Sequence, residues 1–108
     1  MEDVGRIPPH SVESEQSILG SILLDKEAII TVTETIQPED FYKEAHKIIY
    51  ECMMKLNNKN EPIDLITLTE ELKKQGHLED IGGISYITSL STIVPTTSNV
   101  KYYADIVK

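Results

Sequence analysis

The side chains in this sequence with any potential for chemistry are few. Adjacent acid pairs occur at Glu39-Asp40, Glu70-Glu71 and Glu79-Asp80, beside one thiol (Cys52) and three imidazoles (His10, His46 and His77). A general acid/base dyad needs two carboxyls converging on one reacting atom, whereas adjacent residues on a helix point about 100° apart. Each acid pair therefore reads as a helix cap or a solvated turn. Cys52 falls in an apolar stripe, where a thiol stays protonated and inert. The histidines are scattered at spacings that match no metal-ligand pattern, and a lone cysteine forms no internal disulfide. No Gly-Lys dipeptide occurs, and Gly82-Gly83 is followed by Ile-Ser, so no Walker A loop is available to cradle nucleotide phosphates. A Gly-x-Ser-x-Gly elbow is also missing. The sequence thus predicts no catalytic, cofactor or metal site within these residues.

Composition narrows the alternatives further. A chain of 108 residues holds one core of modest size. Its 40% hydrophobic and 26% charged content is that of a folded globular chain rather than a disordered one. Eighteen acidic side chains against ten basic ones give a net charge of −8, which repels phosphate backbones and disfavours autonomous nucleic-acid binding. Lys43, Lys47 and Lys55 recur on one side of a predicted helix, but Glu44 and Glu51 interleave with them and make the face a solvated one. The first residues, MEDVGR, carry no apolar run fit for a signal peptide, and nothing later approaches a membrane span. A cytoplasmic location is expected.

The elements that must position these groups are helices punctuated by proline. All five prolines (positions 8, 9, 38, 62 and 95) lie between periodic segments. Residues 1–10 read as an extended lead-in and 11–108 as a single helical domain. Ser11 caps a first helix. Ala28, Ile29, Val32 and Ile36 carry a second, ending at Gln37-Pro38. The third runs from about Lys43 to Asn57, with Ala45, Ile48, Ile49, Cys52, Met53 and Leu56 at helical spacing, the strongest core signal present. Asp64 caps a fourth that places Leu65, Leu68 and Leu72 inside and stops at Gly76. Ile84, Ile87, Leu90 and Val94 predict a short fifth helix after the glycine pair. Thr97 or Ser98 starts a sixth, with Val100, Tyr103, Ala104 and Val107 inward. The expected fold is an all-α compact bundle of about six short helices.

Two features stand out from this pattern. In the first helix Val12, Ile18, Leu19, Ile22 and Leu23 form an apolar stripe with Glu15 projecting from its middle, while Ser14, Ser17, Gly20 and Ser21 make the other side small. Both sides look made for contact, and Glu15 is expected to be satisfied by backbone amides or a cation of the domain itself. Second, apolar faces recur off the main stripes: His46, Tyr50 and Met54 on the third helix, Tyr86 and Ile93 on the fifth, Tyr102 and Ile106 on the sixth. Rows of exposed aromatic and Met side chains mark contact surfaces. His46, Tyr50, Met54, Tyr102 and Ile106 are therefore candidates for an assembly surface.

The segments PPHSVESEQSILGSILLD, QPEDFYKEAHKIIYECM, EPIDLITLTEEL, IGGISYI and VPTTSNVKYYADIV, in this order from Ile7 onward, resemble the N-terminal domain of bacterial DnaB-type replicative DNA helicases. No single motif is specific, but five in register are. The resemblance implies the globular head of a collar domain in a hexameric ring helicase. The helical hairpin and the ATPase motor, with its ATP and magnesium, would lie downstream. It also implies partners: other collar domains, DnaG-type primase and a helicase loader. Glu13 and Tyr86 match family positions associated with primase docking. Glu13 at the edge of the stripe suits a partner's cation, and Tyr86 offers an aromatic body with a polar tip. The competing reading is the helicase-interacting C-terminal helical domain of a primase, a related fold. The position of IPPHSVESEQ soon after an initiating Met disfavours it.

Overall fold

A computed structural model describes residues 11–93 and 100–108, and among them every regular element is helical. The helices are α1 (Val12–Leu24), α2 (Ala28–Thr33), α3 (Glu44–Asn58), α4 (Leu65–Lys74), α5 (Gly83–Ile93) and α6 (Val100–Val107), with one 3-10 turn at Pro38–Asp40. The 1–10 lead-in, Val94 and the expected start of the last helix at Thr97 or Ser98 lie outside the described residues. No helix among those described is long and apolar enough to cross a membrane.

Local chemistry sets the helix boundaries. The Ser11 hydroxyl accepts the Ser14 N–H at 3.1 Å and opens α1. At the other end Asp25 is extended, and its carboxylate accepts the Glu27 N–H at 3.0 Å to turn the chain into α2. Asp64 and Thr67 cap α4 reciprocally, at 2.8 and 2.9 Å. Gly76, at φ +76°, terminates that helix in the left-handed conformation, with the His77 N–H returning to the Leu72 carbonyl at 2.9 Å.

Helix α1 is the centre of the bundle and packs chiefly against α5 and α6, with α3 and α2 closing the remaining sides. Ile18, Leu19 and Ile22 are fully buried on one side, and Ser14, Ser17, Gly20 and Ser21 are buried on the other. Small residues let neighbouring backbones approach this helix closely. Ile49, Met53 and Leu56 of α3, Leu68 and Leu72 of α4, and Ile87 and Leu90 of α5 complete the core, with Val100 and Ala104 of α6.

Several expectations are corrected. Helix α2 ends at Thr33 rather than reaching Ile36, because Pro38 forces Gln37 into an extended conformation (φ −102°, ψ 158°) and the last turn unwinds before it. Ile36 nevertheless stays buried from that turn. Leu65 and Ile84, expected inside, are exposed: each sits in the first turn of its helix, before the chain reaches the core. Phe41, Ile63 and Ile81 are buried although they lie in connections, where no helical period marks them.

Candidate functional site

Glu15 enters the interior from the first turn of α1, with only 2% of its side chain exposed. Its Oε2 accepts the Tyr42 N–H at 2.7 Å, and its Oε1 accepts the Lys43 N–H at 3.4 Å. Those amides lie just before α3, whose N-cap Lys43 has no side-chain oxygen to offer. The carboxylate that complements the positive end of α3 is thus supplied by α1. This is the backbone-amide solution expected for an acid set in an apolar stripe.

The imidazole of His46 completes the arrangement. Its Nδ1 lies 2.7 Å from Glu15 Oε1, and its Nε2 lies 2.6 Å from the Tyr86 hydroxyl. The Phe41 ring meets it edge-on at 6.3 Å, and the Tyr86 ring lies nearly parallel to it at 5.9 Å. Burial pushes the His46 pKa below the usual 6.5; the hydrogen bond to Glu15 works in the opposite direction and is the smaller effect. Burial thus favours the neutral ring. A neutral imidazole has one donor and one acceptor, and both Glu15 oxygens are accepting, so Nδ1–H donates to Glu15. Nε2 then accepts, and the Tyr86 O–H donates to it.

Tyr86 stands at the surface end of this chain, half-buried. Its hydroxyl accepts from the Gln16 amide at 3.3 Å, and the Lys43 ammonium lies 6.0 Å from its ring centroid. Gly82 closes the other side. At φ +107° it adopts a backbone that side chains avoid, and a Cβ there would lie 3.0 Å from the Tyr86 Cβ. Three helices, α1, α3 and α5, thus converge on the direction of one hydroxyl. Chemically the arrangement fixes which way a single proton points.

Glu13 is exposed in the first turn of α1, three residues before Gln16 and so on the same helix face. Because Gln16 touches Tyr86, the two candidate partner-binding residues share one edge of the domain. The expected assembly row on α3 is corrected. His46 and Tyr50 are fully buried, and Met54 is half-buried against the core. The first half of α3 lies between the core on one side and Glu15 and Tyr86 on the other, so that row has no outer face. Tyr50 donates its hydroxyl to the Ile36 carbonyl at 2.9 Å, and burial pushes its pKa up to about 12. Tyr102 and Ile106 do lie outward on α6, 67% and 47% exposed.

The acid pairs have structural partners. The Asp40 carboxylate accepts the Gln37 N–H at 2.8 Å, and Asp80 pairs with His77 at 3.1 Å. Glu71 is buried between α3 and α4, where it accepts from the Gln75 amide at 2.7 Å and the Lys59 ammonium at 3.3 Å. These bonds, that of Gln75 first, hold its pKa below the ordinary carboxylate value in spite of burial. Cys52 donates to Gln75 Oε1 at 3.7 Å, and burial raises the thiol pKa to about 11. Sequence reasoning did not single out Gln16, nor Lys43 and His46 as partners of Glu15. The available signal was the misplaced acid at position 15, which calls for donors without saying where in the sequence they lie.

Residues 7–108 match the family described as DnaB-like helicase N terminal domain. The chain belongs to that family. The DnaB-like domain is 48% identical over 103 residues to the replicative DNA helicase DnaB of Geobacillus stearothermophilus. It is 45% identical over 103 residues to the replicative DNA helicase DnaC of Bacillus subtilis. Each match covers 95% of this chain and 23% of the relative, so the sequence spans about a quarter of these proteins' length. Among solved structures it resembles the N-terminal domain of DnaB helicase from Mycobacterium tuberculosis, with a TM-score of 0.90 and 44% identity over 93% of this chain and 72% of that one. A second similar structure is that of a DnaB-like replicative helicase and its interactions with primase (TM-score 0.78, 31% identity, 90% of this chain and 23% of that one). The DnaB-like assignment decides between the two sequence readings in favour of the helicase N-terminal domain over the primase domain.

Proposed function

We propose that this domain is the non-catalytic collar head of a hexameric replicative DNA helicase and that its Glu13–Tyr86 edge docks primase during DNA replication. The observation that supports docking is the investment around Tyr86: a buried carboxylate–imidazole pair, with its desolvation cost, holds the hydroxyl of a residue at the surface. Exposed Glu13 on the same edge adds a carboxylate for a partner's cation. A similar structure, that of a DnaB-like helicase and its interactions with primase, points the same way.

Bond-breaking belongs to the parent enzyme, an ATP-dependent DNA helicase, and to its motor domain. ATP and magnesium are assigned to that motor rather than to the head, whose sequence has no Gly-Lys dipeptide to reach nucleotide phosphates. The head would act by placing primase over emerging single strand and by biasing collar arrangements. Its net charge of −8 disfavours nucleic-acid binding by the head itself. Tyr102 and Ile106, one turn apart on α6, are the assembly candidates that lie outward, and a helicase loader would act on the same collar.

Substituting Glu13→Ala and Tyr86→Ala separately in the full-length protein, and titrating the C-terminal domain of primase by calorimetry, tests the docking edge. Each substitution should weaken binding severalfold; unchanged affinity in both removes this edge from the interface. Sedimentation of Tyr102→Ala/Ile106→Ala tests assembly, where an undiminished hexamer rejects the α6 face.

A further inference from the structure

We infer that the Glu15–His46 pair sets the hydrogen-bonding polarity of the docking edge, so that Tyr86 meets its partner as an acceptor and the partner must bring a donor. This rests on Tyr86 being a docking residue, as proposed above. The argument is a count of protons and lone pairs. Both Glu15 oxygens already accept backbone N–H groups, so the carboxylate takes the His46 Nδ1 proton. In the neutral ring, which burial of His46 favours, that leaves Nε2 as an acceptor, and the single proton of the Tyr86 hydroxyl is spent on it at 2.6 Å. One lone pair of the same oxygen takes the Gln16 amide at 3.3 Å. The capacity remaining toward solvent is accepting. Glu13, an acceptor when ionised, is exposed one turn before Gln16. The edge therefore fits a partner segment that presents lysine, arginine or unpaired backbone N–H groups. A negatively charged chain complements such a cationic segment.

Glu15 and His46 do not touch the partner in this scheme; they are positioning residues, and their effect passes through one oxygen. Protonating His46 would turn Nε2 into a donor. The Tyr86 hydroxyl would then have to accept from it and rotate its own proton outward, opposing the donor that the partner brings. The groups facing His46 are Glu15 from α1, Tyr86 from α5, and Phe41 and Lys43 from the segment that leads into its own helix.

The test is calorimetric titration of full-length protein with primase C-terminal domain between about pH 7.5 and about pH 6, the span in which a histidine changes charge. It compares wild type, Tyr86→Phe, His46→Gln, the double variant and Tyr86→Ala. Tyr86→Phe and His46→Gln should each weaken binding about threefold to tenfold, the size of one hydrogen bond. The double variant should be no weaker than Tyr86→Phe, and acidification should weaken wild type by a larger factor than Tyr86→Phe. Additive losses, or the same pH profile in wild type and Tyr86→Phe, overturn the inference. If His46→Gln melts early, Tyr86→Phe decides alone, because it removes only the hydroxyl. Loss in Tyr86→Ala with none in Tyr86→Phe leaves docking standing and rejects the polarity mechanism; full affinity in Tyr86→Ala rejects both.

Discussion

Glu15 and Glu71 are the two buried acids among the described residues, and the molecule treats them differently. Glu15 is held by backbone amides and an imidazole 27 to 31 positions away in sequence, at the meeting point of α1, α3 and α5. Glu71 is held by a glutamine four residues on, by Lys55 of α3 and by Lys59 just past its end, whose side chains remain 57% and 37% exposed. Removing Glu71 lets its cations relax into water. Removing Glu15 strands donors that have nowhere else to turn. Equal burial therefore does not mean equal consequence; what decides it is whether the partners can reach solvent.

The largest expected effect breaks the comparison at Glu15. Glu15→Ala should cost about 1–3 kcal/mol in urea unfolding for each buried donor it leaves unsatisfied, among them the Tyr42 N–H and the His46 Nδ1–H. Glu71→Ala should cost less, and the stability difference between wild type and Glu71→Ala should shrink with added salt. A similar loss for both variants would mean that the donors around Glu15 find water after all. Next is Gly82→Ala, expected to cost about 1–3 kcal/mol through its backbone and to weaken primase binding by displacing Tyr86. Gly83→Ala, at φ +76° with open space where its Cβ would go, should cost about 1–2 kcal/mol and leave binding unchanged.

The two acids also separate along the pH axis. His46 is harder to protonate folded than unfolded, so the unfolded state binds more protons below the usual histidine value of 6.5. Stability should decline as pH falls below that value, by at most about 1.4 kcal/mol per unit. Glu71 is easier to ionise folded, so its contribution is present above the ordinary glutamate value of 4.5 and is lost as pH falls through the lower folded value. Unfolding midpoints measured against pH should show two regions of decline, and His46→Gln should erase the upper one alone. The smallest effect is Ser21→Ala. The Ser21 hydroxyl is fully buried and makes no hydrogen bond among the described residues, so its removal should be neutral or stabilise by up to about 1 kcal/mol.

Much of the fold was legible because its signals are local. The caps at Ser11 and Asp64, the stop at Gly76 and the α3 stripe each depend on residues within a turn of one another. Glu15 was legible as an anomaly but its partner was not, since no local rule links positions 15 and 46. The same gap produced the misreading of His46 and Tyr50. A second row on a helix looks like an outer face until the neighbouring helices are placed, and here they cover it. Leu65 and Ile84 failed for a smaller reason, as a helical period does not say where along its axis a helix meets the core. Of the candidate site, Glu13 and Tyr86 were legible through family resemblance, whereas the structure alone supplied Gln16 and the buried pair behind them.

The enclosure of α1 has a consequence for how the domain opens. A helix flanked by four others cannot fray sideways, so amides in its buried middle, from Ile18 to Ile22, should exchange with deuterated solvent only when the whole bundle comes apart. A contact made at its exposed first turn, around Glu13, is therefore anchored in the slowest-exchanging part of the molecule. Force applied there by a bound protein would be passed to the core as a rigid load instead of being dissipated in a loop.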